Sequence, residues 1–156
     1  MFASVIGIDP TAVSSTPEFG VGQIGAVVSN NGVTKIYKYV EYKVGSGSVA
    51  AVSGNACYYN TLDGYKLNQV TSDLSDSVEI GAGILQSAPT DGQYCWIQIK
   101  GAATMAAALT AGADGDPLTA TGSSDGKLDV TADVTSVVVA YAGDASDKEI
   151  ICDFPF

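Results

Sequence analysis

The side chains in this chain that could do chemistry are carboxylates, lysines and three cysteines, because histidine and arginine are absent. Without histidine there is no general acid or base titrating near neutrality, no Ser-His or Cys-His nucleophile pair, and no imidazole metal ligand. Cys57, Cys95 and Cys152 are too widely spaced for a zinc motif. Each sits in an apolar stretch, which predicts buried free thiols. Asp114, Asp116, Asp125 and Asp129 offer hard oxygen ligands of the kind calcium takes. They lack the alternating pattern and closing glutamate of an EF-hand, and Asp114-Gly115 and Asp125-Gly126 read as turns. Paired-carboxylate hydrolysis needs a cleft and one raised pKa, and neither is legible here. The expectation is a chain that is not an enzyme and carries no cofactor and no metal.

Two glycine-rich segments imitate phosphate loops. Gly122-Ser123-Ser124-Asp125-Gly126-Lys127 has the wrong glycine spacing, and Leu128 stands where the motif needs Ser or Thr. Gly45-Ser46-Gly47-Ser48-Val49-Ala50 follows a strand pattern, but no helix of adequate length follows it. Trp96 and the tyrosines could offer a sugar-stacking platform, yet Trp96 lies between Cys95 and Ile97 in a strand pattern and reads as core.

Seventeen carboxylates against seven scattered lysines give a net charge of −10. A phosphate-binding surface needs clustered Lys and Arg, so no nucleic-acid partner is expected. Met1 to Ile8 lacks a basic n-region and a cleavage motif, and no apolar run reaches the length of a membrane span. These features predict a protein made in a cytoplasm, soluble and without a membrane partner.

The elements that must position these residues read as strands, because Val, Ile, Thr and Tyr are plentiful and leucine is scarce. Residues 1–20 lack periodicity and carry Pro10 and Pro17, which predicts an extended arm, either loose or ordered on a neighbouring subunit. Residues 21–156 form the β-rich body. Gln23 to Ser29, Asn31-Gly32 and Val33 to Val44 read as a hairpin. In its second strand Ile36, Lys38, Val40 and Tyr42 share one face and Tyr37, Tyr39, Glu41 and Lys43 the other, which suggests contact from both sides. The alanine-rich stretch Gly101 to Ala113 is expected to be an extended connector with at most one helical turn.

An ordered series recurs at a spacing of about sixty residues. Gly54-Asn55, Asp63-Gly64, Lys66-Leu67-Asn68, Val70-Thr71, Asp73 and Ser77-Val78 match Gly115-Asp116, Asp125-Gly126, Lys127-Leu128-Asp129, Val130-Thr131, Asp133 and Ser136-Val137. Each copy ends on a strand, Tyr94 to Ile99 and Glu149 to Phe154. The fold expected is all-β: a compact sandwich or barrel-like body of two similar units, about 36–99 and 94–156, with the N-terminal arm and at most one short helix.

Four further segments carry a resemblance. They are Pro17-Glu18-Phe19-Gly20-Val21-Gly22, then Gly83-Ile84-Leu85-Gln86 through Asp91-Gly92-Gln93-Tyr94-Cys95-Trp96-Ile97-Gln98 to Thr104, and Ala111 to Leu118 with the closing Cys152-Asp153-Phe154-Pro155-Phe156. With the hairpin into Tyr37-Lys38-Tyr39-Val40, they resemble a family of small tailed-phage virion proteins found beside the major capsid protein. The chain departs from that pattern at Cys95, where glycine is common, and in its long arm.

The resemblance implies a capsid decoration, or cement, protein. It would sit on the capsid exterior of the virion, bridge subunits of the major capsid protein, and act as a homo-oligomer, a trimer being favoured. The contact residues expected are Phe2, Ile6, Ile8, Pro10, Val13, Pro17 and Phe19 of the arm, with Phe154, Pro155 and Phe156 at the other end. These are apolar groups for which the sequence offers no local core. The alternatives are a head-fibre or tail-associated component, and a carbohydrate-binding β-module that uses Trp96 for attachment.

Overall fold

The computed structural model describes residues 3–4, 7–109, 112–131 and 133–156, with the backbone alone at positions 3, 4 and 62. Phe2 and Ile6 lie outside the described residues. The chain is all-β. Twelve described strands join one hydrogen-bonded network: β1 Ala3–Ser4, β2 Val13–Ser14, β3 Ile24–Val28, β4 Thr34–Tyr42, β5 Ala56–Tyr59, β6 Gln69–Thr71, β7 Gly81–Leu85, β8 Tyr94–Thr104, β9 Pro117–Thr119, β10 Asp129–Val130, β11 Ala140–Asp144 and β12 Glu149–Asp153. One short helix, α1 Leu62–Leu67, and one 3-10 turn, Leu74–Asp76, interrupt them.

The hairpin forms as its turn chemistry dictates, with Gly32 at φ +78 and Val28 opposite Thr34. Asp63-Gly64 does not form the turn its dipeptide suggests. Thr61 caps a helix there, its side-chain oxygen accepting from the Gly64 N–H at 3.2 Å. Asn68 ends that helix in the left-handed conformation. Gly101 to Thr104 continues β8, so the alanine-rich stretch starts extended, as expected.

The pairings of the first half close on themselves. β4 pairs β8, β8 pairs β7, β7 pairs β5, β5 pairs β6, and β6 returns to β4 through the parallel pairs Glu41 with Gln69 and Tyr42 with Val70. Such closure leaves no free edge in the ring. The second half repeats the order in antiparallel steps: β8 pairs β12, β12 pairs β11, β11 pairs β9, and β9 pairs β10. Among the described residues no pairing joins β10 back to β8, so this half stays open.

One apolar core runs through both halves, from Val40, Tyr42 and Tyr58 to Leu118, Ile150 and Phe154. A second, smaller cluster lies outside the ring. Tyr37, Tyr39 and Trp96 face away from the first core and are covered by Ile8, with Phe19 packed against them. The described part of the arm therefore lies on its own body. β1 pairs β3 at one side, β2 pairs β8 at the other, and Ile8 is 7 % exposed between them. Gly25 makes room for that insertion, since a Cβ there would stand 2.8 Å from Ile8 Cδ1.

The candidate docking groove

The structure separates the eight expected contact residues that it describes. Ile8 and Phe154 are buried, and Phe19 packs against the Trp96 cluster. The expectation that these three are surface groups without a core is corrected, because the body supplies a socket for each. Val13 and Pro17 are exposed, Pro10 and Pro155 are half-buried, and Phe156 is 63 % exposed.

Pro155 belongs to a groove of about 550 Å³, lined also by Tyr65 and Lys66 of α1, Val78, Ile80 and Val137. Four separate chain segments bring these residues together. Tyr65 and Val137 are each about half exposed although apolar in most of their surface. Val78 and Val137 stand at matching places in the recurring series, each following a serine. That match was the available sequence signal for the groove. Of the lining, the sequence reading named Pro155 alone, because the other segments are distant along the chain.

Beneath the groove the Tyr59 hydroxyl donates to the Pro155 carbonyl oxygen at 3.3 Å and accepts from Lys38 Nζ at 3.1 Å. Lys38 shares the inward face of β4 with Val40 and Tyr42, and its ammonium lies 5.3 Å from the Tyr59 ring centre and 5.8 Å from that of Tyr65. Burial lowers the Lys38 pKa from its ordinary value and raises that of Tyr59. The lysine stem and the tyrosine rings thus form an amphipathic floor.

The loops that resemble phosphate sites are already occupied by the chain itself. Gly47 N–H donates to Asp73 Oδ2 at 2.8 Å, and Ser46 N–H donates to Asp76. A Cβ on Gly47 would collide with the Asp73 carboxylate. The Ser75 hydroxyl, donating at 2.6 Å, is the main cause that holds Asp73 below the usual carboxylate range; the Gly47 and Ser75 amides add to it and burial opposes it.

Asp73→Asn is therefore expected to lower stability at neutral pH and to flatten the acid limb of the stability profile. A depressed folded pKa contributes stability fully above the ordinary aspartate value of 3.8, and that stability is lost as pH falls through the folded value. Urea unfolding at a series of pH values reads the difference, and superimposable acid limbs for the two proteins would refute it.

The second loop staples the two halves together. Gly126 N–H donates to the Ser72 carbonyl at 3.1 Å, and Asp125 Oδ1 accepts from Leu74 N–H at 2.8 Å. Between them the Tyr58 hydroxyl donates to the Ser124 carbonyl at 2.9 Å. The other candidate calcium ligands are spent on separate amides: Asp114 accepts from Ala145, Asp116 from Ala113, and Asp129 from Val130. Among the described residues no three His, Cys, Asp or Glu side chains gather closely enough to hold a metal ion.

The three thiols are free and buried. Burial pushes Cys95 and Cys152 up to about 12 and Cys57 well above its ordinary value, so none is a thiolate at neutral pH. Trp96 is fully buried and presents no face on which a sugar could stack. No family model, curated protein or solved structure matches the chain.

Proposed function

We propose that this chain is a non-catalytic structural protein of a tailed-phage particle, one that binds the outer surface of the capsid and stabilises it by bridging subunits of the major capsid protein. The observation that carries a docking role is the groove. It sets Tyr65, Val78, Ile80, Val137 and Pro155 together on the surface of a body whose net charge is −10. An apolar strip on an acidic surface of this kind is a feature that a binding partner would bury. The polar groups with the spacing of a reactive or phosphate-binding site are tied up in caps and turns, which agrees with a structural role. The capsid as partner rests on the sequence resemblance.

Avidity makes such a role workable. Many copies on one particle, each with more than one contact, bind firmly even when each interface is small. The test is cosedimentation with shells assembled from the major capsid protein of the particle to which this chain is proposed to belong, followed by image reconstruction. The expected result is occupancy at a copy number set by the shell lattice. Tyr65→Ser combined with Val137→Ser should lower that occupancy with only a small fall in melting temperature, since both side chains are about half exposed and Tyr65 gives up its ring contact with Tyr59. Shells that carry no copies, or copies at a single vertex only, would overturn the reading.

A further inference from the structure

The shared pairing order of the two halves gives four strand pairs of the first half a counterpart in the second, and among the described residues one counterpart is bare. In the first half the outer face of the β4–β8 pair carries Tyr39 opposite Trp96, and the arm covers it. The corresponding pair in the second half is β8–β12, where Ala102 stands opposite Ile151. Ile151 is in turn opposite Tyr141, so the three residues form one row on one face. Ala102 is exposed, Ile151 is 53 % exposed and Tyr141 is 44 % exposed. Their neighbours of opposite parity, Ala103, Ile150, Cys152 and Ala142, are buried in the core. The row is thus the outer face of an ordered sheet, in the place where the first half holds an extended segment with an aliphatic anchor.

The charge around the row sets the chemistry of what would cover it. Nine of the seventeen carboxylates but only two of the seven lysines lie beyond Lys100. Glu149 and Asp153 flank Ile151 on the same face of β12, and among the described residues only Asp153 of the two has a lysine partner, Lys100. The chain's own arm inserts Ile8 but carries Asp9 and Glu18 and no lysine between residues 7 and 19. A second copy's arm would therefore meet like charge.

We propose that the Ala102–Ile151–Tyr141 row is a docking surface for an extended segment of a partner protein, with an apolar anchor flanked by basic residues. The identity of that partner as the capsid protein rests on the function proposed above, whereas the chemistry of the segment rests on the fold and the charge.

The experiment uses the full chain and a synthetic peptide with the sequence of residues 7–19 in which Asp9 and Glu18 are both replaced by lysine. The unaltered sequence serves as the acidic control. Amide chemical shifts should move at Ala102, Tyr141 and Ile151, and the lysine peptide should bind about tenfold more tightly than the control at low salt. Ile151→Asn with Tyr141→Asn should remove those shifts and lower shell occupancy. Shifts confined to Tyr39 and Trp96, or none at all, would overturn the inference, and shell binding by the double variant at the unaltered level would leave the capsid reading standing alone. Peptide binding at the row by a chain that binds no shell would support the inference while overturning the capsid as partner.

Discussion

Replacing Trp96 with alanine is expected to lower the free energy of unfolding by about 3–5 kcal/mol and to release the N-terminal arm. The ring is fully buried, with Tyr39 at 5.0 Å and Phe19 at 5.2 Å between ring centres. Aromatic pairs of this kind contribute about 0.5–1.5 kcal/mol beyond the area they bury. Truncation removes the floor on which Ile8 rests, so the short β2–β8 pairing at Val13 and Ser14 loses its neighbour.

The indole Nε1 has no hydrogen-bond partner among the described residues. Trp96→Phe removes that buried orphan donor and keeps most of the apolar contact, so its cost should be much smaller, within about 1.5 kcal/mol. Urea unfolding measures both values. Hydrogen exchange at Ser14, with cleavage after Glu18 by a glutamate-specific protease, reports release of the arm. Equal destabilisation by the two variants would contradict the socket described here.

How much of this was legible follows from the range of each determining interaction. The two faces of β4 were readable because alternation is a local property: residues 36, 38, 40 and 42 point inward and residues 37 and 39 outward, where the arm meets them. Of the recurring series, Gly54-Asn55 and Gly115-Asp116 each sit just before a strand and Val70 and Val130 lie in strands, but Asp63-Gly64 falls in α1 where Asp125-Gly126 forms a turn. The helix at Leu62–Leu67 was hidden because Asp-Gly is a turn signal, and only the cap at Thr61 turns it into a first helical turn. The course of the arm was not readable because the arm has no periodicity of its own. Its place is set by Gly25, Tyr37, Tyr39 and Trp96, all distant in sequence. The groove was hidden for the same reason.

The C-terminus shows the same point within three residues, and it sets the second large effect. Along β12 the exposure alternates, Glu149, Ile151 and Asp153 outward and Ile150 and Cys152 inward. Continuing that parity turns Phe154 inward, where it is fully buried against Val139 and Gly81 and its N–H donates to the Ile99 carbonyl at 3.1 Å. A Cβ at Gly81 would stand 3.0 Å from Phe154 Cε1, so the ring has a fitted place. Phe154→Ala should therefore cost about 3–5 kcal/mol by leaving a cavity in the core shared by both halves.

Phe156, two residues on, lies outside that core, with Lys100 Nζ 5.6 Å from its ring centre. Phe156→Ala should change stability by no more than about 0.5 kcal/mol and, if the proposed capsid role holds, weaken shell binding. Thermal unfolding and cosedimentation of the two variants separate the roles. A stability loss of similar size in both would mean that the terminal residues act as one core element, and the division of this segment into a buried anchor and a surface contact would fail.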